Sequence, residues 1–206
     1  MKSLKIAFSF VLALSLAAFS LKEDPSAGYK AGDKATDFKL KNINDKEVSL
    51  ADYKDAKGFI VVFTCNHCPF SVAYEDRIVA LDKKYAGKGY PVIAINPNDD
   101  KAYPDDSFEN MKKRAKDKKF TFPYLRDDSQ DIAKTYGAAK TPHVYILTKT
   151  GNDLVVKYVG AIDDNSENAA SVKEKYVENA LTQILANQEV KVPFTKAIGC
   201  GVKWKK

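Results

Sequence analysis

The chain has 206 residues, 45% of them hydrophobic, which suffices for one core and one domain and argues against a disordered polymer. Lys and Arg outnumber Asp and Glu by 33 to 27. That surplus is scattered, with no stacked basic-aromatic platform, so no nucleic acid is expected as a partner. Cysteines number only 3, too few for a framework of staples.

The first residues carry Lys2 and Lys5, then an apolar run from Ile6 to Phe19, then Ala18-Phe19-Ser20, a small-x-small pattern. This predicts a signal peptide over 1–20, because the run is short for a bilayer and no stop-transfer flank follows. No cysteine sits at the cleavage point, so a lipid anchor is not expected. The expected product is exported, to a periplasmic or other extracytoplasmic space, with no stable membrane anchor after processing. The predicted division is a leader over 1–20, one domain over 21–187, and a tail over 188–206 that carries Cys200.

Alternation over Asp37–Lys41 and Val48–Leu50, around an Asn-Asp turn signal, predicts an N-terminal β-hairpin. Phe59–Phe63 is continuously apolar, as a strand covered on both faces is. Phe70, Tyr74, Ile78, Leu81 and Tyr85 then recur at helical spacing, predicting a helix after Cys68 that ends near Gly87-Lys88-Gly89. Pro91–Asn96 reads as a second buried strand, and Pro104 as the opening of a charged helix reaching about Lys118. Phe122–Leu125 is a short strand. Ser129 is placed to cap a short helix through Tyr136 that Gly137 stops.

Val144–Leu147 and Leu154–Val159 flank Lys149-Thr150-Gly151-Asn152 as an antiparallel hairpin. A last helix is expected to bury Ala169, Val172, Tyr176, Ala180, Leu181, Ile184 and Leu185. Strands alternating with helices imply crossovers over a parallel sheet, which the hairpin completes antiparallel. The fold class is therefore α/β: a three-layer α/β/α sandwich with a central mixed sheet and an N-terminal β-hairpin.

Cys65-Asn66-His67-Cys68 sits between the apolar strand and the helix. Unpaired backbone N–H groups and the positive helix end favour an anion there, and only a thiolate attacks a disulfide. Cys65, expected to be exposed and at the helix start, is the predicted nucleophile; Cys68, one turn on, is the predicted resolving thiol, able to displace substrate from a mixed disulfide. His67, if protonated, adds positive charge beside the pair. No cofactor and no resident metal are expected, since zinc would need further ligands and only His67, His143 and Cys200 remain.

Phe63-Thr64-Cys65-Asn66-His67-Cys68-Pro69-Phe70, Phe122–Asp127, Ile132–Gly137 and Thr141–Leu147 resemble the thioredoxin superfamily. Within it, the chain is similar to the redoxin branch of AhpC/TSA-type peroxiredoxins and TlpA-like proteins, over about residues 30–187. The resemblance implies a thioredoxin-like fold with a cis Thr141-Pro142 facing the dithiol, and a Thr141 backbone that pairs with a substrate chain. Thr64, His67, Thr141 and Pro142 are the substrate-binding residues it implies.

Departures from the family also matter. Phe59 stands in the place of thioredoxin's buried aspartate and Ser71 where TlpA-like proteins often have glutamate, which leaves Glu75 as the only substitute proton carrier in view. The peroxide-binding Pro-x-x-x-Thr/Ser-x-x-Cys pattern fits neither Cys65 nor Cys68. The tail segment Ile198–Trp204 also looks like the end of a peroxiredoxin-like subgroup, and Cys200 is a candidate third thiol if the tail folds back.

The expected function is an exported thiol-disulfide oxidoreductase acting on protein or small-molecule disulfides, with a thioredoxin-type protein as redox partner. The alternatives are a peroxiredoxin-like peroxide reductase and a Sco-like copper chaperone holding Cu(I) with Cys65, Cys68 and His67 or His143.

Overall fold

The computed structural model describes residues 28–206. The predicted signal peptide lies outside the described residues. Its main sheet orders eight strands as β1-β9-β8-β4-β5-β6-β2-β3, where β1 is Lys34–Ala35, β2 Lys39–Asn42, β3 Glu47–Ser49, β4 Gly58–Phe63, β5 Val92–Asn96, β6 Tyr124–Arg126, β8 His143–Thr150 and β9 Asp153–Gly160. β4, β5 and β6 run parallel; β8 and β9 complete one side antiparallel, and the β2–β3 hairpin docks antiparallel on β6 at the other. The mixed sheet and the N-terminal hairpin are those expected from the sequence.

The helices are α1 Pro69–Tyr85, α2 Phe108–Asp117, α3 Asp131–Tyr136 and α4 Tyr176–Leu185. β4 shows why the chain layers as it does. Every residue of this strand is buried, and its side chains alternate between two cores. Ile60 and Val62 join Tyr74 and Ile78 of α1, Met111 of α2 and Leu181 of α4. Phe59, Val61 and Phe63 join Ala133 and Tyr136 of α3, with Phe38 and Leu50 of the N-terminal segment. Each such side chain contributes roughly 1.5–3 kcal/mol by leaving water, so the two clusters together fix the strand's orientation.

Several element limits differ from expectation for local reasons. The helix expected from Pro104 is split: Pro104–Asp106 forms one 3-10 turn, and Ser107 then caps α2, its hydroxyl accepting the Asn110 N–H at 3.4 Å. Ser129 is not the cap of α3; Gln130 is, in a left-handed conformation at φ 64°, while Asp127 accepts the Ala133 N–H at 2.8 Å. Gly137 stops α3 as expected, because its φ of 75° suits a residue without Cβ. Ala169 and Val172 fall outside α4, in a separate 3-10 turn and an extended link.

The tail is ordered rather than trailing. Phe194 bridges to Val159 and the Thr195 N–H donates to Val159 O at 3.0 Å, extending the end of β9. Further on, Cys200–Gly201 forms β10, which pairs antiparallel with β7, Lys140–Thr141, in a separate two-stranded sheet.

Candidate functional site

The site forms where β4 ends. The Thr64 N–H still donates to Ile95 O at 2.9 Å, so the parallel ladder carries the chain to Cys65 before it turns. Pro69 occupies the first turn of α1, a position where its missing N–H costs nothing, and Cys68 is the N-cap. Cys65 is thus three residues before the cap, in the connecting loop, and not on the first turn of the helix as expected.

Two further expectations are corrected at this residue. Cys65 is 2% exposed, not open to an approaching molecule. Its thiol is also not held as an anion here: burial pushes it up from its ordinary range, and the neighbouring Asp106 carboxylate adds to that. Opposing them are the Thr141 hydroxyl at 3.3 Å, the Cys68 backbone N–H, and the Ser71 hydroxyl at 3.7 Å. The donors for a thiolate are assembled around the sulfur, but the closed environment outweighs them.

The tail is joined to the neighbouring cysteine. Cys68 is bonded to Cys200 in a disulfide with Cα atoms 6.0 Å apart, and Cys65 is the free thiol beside it. Register places Cys200 opposite Thr141 and Gly201 opposite Lys140. The Thr141–Pro142 peptide is cis and Thr141 is fully buried, with its carbonyl oxygen 3.3 Å from Cys68 Sγ. The Val202 N–H donates to Ala139 O at 3.1 Å, the Lys203 N–H to Asn98 Oδ1 at 2.9 Å, and the Asp99 N–H to Lys203 O at 2.8 Å. Gln130 clamps the same stretch, donating to Lys203 O at 2.9 Å and accepting from the Lys205 N–H at 2.8 Å. The tail therefore holds the backbone edge that a substrate chain was expected to take.

His67 lies with the cysteines, its ring stacked on Tyr103 at 5.4 Å. Its Nδ1 is 2.5 Å from Oδ2 of Asp106, a residue that sequence reasoning missed. Asp106 is fully buried and also accepts from the Asn66 N–H at 2.6 Å, Asn98 Nδ2 at 2.7 Å and Asn96 Nδ2 at 3.3 Å. The only sequence signal was an acid-rich stretch after Pro104, read there as helix-dipole chemistry. Glu75, the substitute carboxylate expected from the sequence, is engaged elsewhere, with Arg114 at 2.5 Å and Lys118 at 3.4 Å.

Cys65, His67 and Asp106 each bring a potential ligand atom within 4.8 Å of the others, the one group among the described residues that could hold a metal ion. His143, the other expected copper ligand, instead sets Nδ1 3.4 Å from the Tyr145 hydroxyl, and burial lowers its pKa to about 4.

The chain is similar to several known proteins. "Thiol-disulfide oxidoreductase ResA" of Bacillus thuringiensis is 28% identical over 123 residues, which are 58% of this chain and 65% of the relative. The chain thus spans 65% of the length of that curated relative. An uncharacterized conserved protein of Geobacillus kaustophilus is 39% identical, with a TM-score of 0.78 over 85% of this chain and 92% of that one. The exposed lipoprotein thioredoxin Etrx1 of Streptococcus pneumoniae, 22% identical, has a TM-score of 0.53 over 74% of this chain and 99% of its own, showing a thioredoxin-like fold. The AhpC/TSA family model matches residues 31–176, and on that span, which holds Cys65, Cys68 and Thr141-Pro142, the chain belongs to the AhpC/TSA family.

Proposed function

We propose that the chain is an exported thiol-disulfide oxidoreductase in which Cys65 attacks, Cys68 resolves and Cys200 completes a relay. The observation that carries this reading is a free Cys65 thiol beside a Cys68–Cys200 disulfide, with the tail strand seated on Thr141. That is the arrangement expected after two electrons have left the dithiol. Thiolate Cys65 attacks a substrate disulfide, forming a mixed disulfide and releasing one substrate thiolate. Cys68 then attacks the Cys65 sulfur, releases the second substrate thiolate and closes a Cys65–Cys68 bond. Attack by the Cys200 thiolate on the Cys68 sulfur forms Cys68–Cys200 and returns Cys65 as a thiolate. The substrate disulfide is reduced to two thiols, and the chain is oxidised by one disulfide.

The reading also explains why a buried, protonated Cys65 suits the oxidised chain. With the electrons gone, a reactive thiolate has no task, and the tail removes it from water. Reduction of Cys68–Cys200 by a thioredoxin-type partner frees the tail, relieves the burial that raises the thiol, and leaves the Thr141, Ser71 and Cys68 donors to stabilise the anion. Export rests on the sequence of residues 1–20.

Peroxide reduction is the weaker alternative. Family membership favours it, but the hydroxyls at Cys65 come from Thr141 and Ser71, and among the described residues no arginine side chain hydrogen-bonds to them. A copper-carrier role loses its second thiolate while Cys68 is bonded to Cys200.

The test compares the reduced wild-type chain with Cys65→Ser on a disulfide-bonded protein substrate, following thiol release. Activity is expected to fall to the background of free thiols, and full activity in the variant would end this assignment.

A further inference from the structure

The oxidised chain has to be returned to its dithiol form, and its cysteines offer a reductant unequal targets. Cys65 is 2% exposed and Cys68 is 0% exposed. Cys200 is half-buried, the least covered of the three. It lies on β10, which has β7 along one edge and, among the described residues, no strand along the other. The bond between Cys68 and Cys200 thus has one end sealed in the core and one end on an open edge.

We propose that the reductant, a protein dithiol of the thioredoxin type, attacks the Cys200 sulfur and expels Cys68. This rests on the reading of Cys68–Cys200 as the oxidised form of the relay. The partner's thiolate forms a bond to Cys200 Sγ, the Cys68–Cys200 bond breaks, and its electron pair leaves with Cys68 as a thiolate that takes a proton from water. The partner's second thiol, losing its proton to water, then attacks the partner's own sulfur in the mixed disulfide and releases Cys200 as a thiolate. The chain gains two electrons, and the partner's dithiol becomes a disulfide.

Access selects this sulfur. Exchange passes through a nearly linear row of three sulfurs, so an attacker reaches one sulfur of the bond from the side opposite the other. To strike Cys68 it would have to come through the interior, where that residue is fully buried. Thr141 occupies that side, with its carbonyl oxygen 3.3 Å from Cys68 Sγ and its hydroxyl 3.3 Å from Cys65 Sγ. The direction of departure agrees. Cys68 is the N-cap of α1, a helix of 17 residues, so the charge it carries away faces the positive helix end. Once protonated, its thiol has the Thr141 carbonyl as acceptor. Cys200 sits on a strand of 2 residues.

The two partners then meet different sulfurs: substrate at Cys65, reductant at Cys200, with Cys68 as the internal carrier between them. The competing route is internal, since Cys65 could displace Cys200 from Cys68 and the reductant would then open a Cys65–Cys68 bond. The experiment mixes the oxidised full chain with a thioredoxin whose resolving cysteine is replaced by serine, so that the mixed disulfide persists. The mixture is quenched in acid, free thiols are blocked with N-ethylmaleimide, and the peptides are mapped by mass spectrometry. Cleavage after Lys196 and Lys203 puts Cys200 on its own peptide, while Cys65 and Cys68 share one between Lys57 and Arg77.

The trap is expected on Cys200, in at least about ten-fold excess over Cys65 and Cys68 together. A split closer to even, or reversed, overturns the proposal and leaves the relay standing. A second measurement removes the internal route: in oxidised Cys65→Ser no Cys65–Cys68 bond can form, and intact thioredoxin should reduce Cys68–Cys200 at a rate within about two-fold of wild type. A larger fall means that electrons enter through Cys65, which also overturns the proposal. An oxidised wild-type chain whose peptides contain no Cys68–Cys200 link would instead sink the relay itself, and the proposal with it.

Discussion

Freeing Cys200 tests how the tail controls Cys65. In Cys200→Ser the covalent hold is lost while the strand sequence is retained. A disulfide spanning 132 residues removes about 5 kcal/mol of chain entropy from the open state, a ceiling since measured values fall more often at 2–4. The backbone and Gln130 hydrogen bonds between Val202 and Lys205 contribute roughly 0.5–1.5 kcal/mol each. Ordering the backbone from Gly199 to Lys205 costs roughly 1–2 kcal/mol per residue. The hydrogen bonds alone do not exceed that cost, so the disulfide is the largest single term holding β10 against β7.

Without it, Cys65 should spend much of its time uncovered, and its thiol, raised chiefly by burial, should ionise more readily. Modification by iodoacetamide at one fixed pH, mapped to Cys65 by mass spectrometry, compares the oxidised wild type with Cys200→Ser kept reduced. The variant should react at least about ten-fold faster, equivalent to about 1.4 kcal/mol of opening. Equal rates would mean that the tail is not what seals the sulfur, and the latch account would fail.

Further expectations concern the same architecture. A Cβ at position 199 would overlap the carbonyl of Thr141, so Gly199→Val should shift a thiol-disulfide titration toward the open dithiol; a curve superimposable on wild type contradicts this. His143 is buried neutral with a pKa of about 4, below the 6.5 of the unfolded chain, so its contribution is complete above pH 6.5 and is lost as pH falls toward 4. Full loss is about 3 kcal/mol, and His143→Gln should flatten the acid limb of stability measured by denaturant unfolding; an unchanged limb refutes it. Phe63 is fully buried between Tyr136 and Tyr145, at 5.6 and 5.8 Å. Phe63→Ala should cost about 3–5 kcal/mol in the same assay, and a loss under 1 kcal/mol would contradict the packing described.

Much of the frame was legible from local pattern. An unbroken apolar run such as Phe59–Phe63 has few alternatives to a covered strand, and Gly137 ends a helix because only a glycine takes that backbone conformation cheaply. The C-x-x-C at the strand-to-helix junction was visible for the same reason, whereas the cis Thr141-Pro142 step was an expectation of the family resemblance alone. Helix limits were read less well: Pro104 opens only a 3-10 turn, and α2 begins after the local cap at Ser107, which the reading from Pro104 passed over.

What only the tertiary structure decided is the environment of the sulfur. Position in the sequence put Cys65 near a helix end and so suggested an exposed thiolate; burial and a carboxylate 41 residues away reverse that in the oxidised chain. Cys68 finds Cys200 across 132 residues, and Asp106 finds His67 across 39. Such partners follow from how the β5–α2 connection and the tail fold back over one end of the sheet. Periodicity carries no information about that, since it reports which face is buried and not which distant segment covers it.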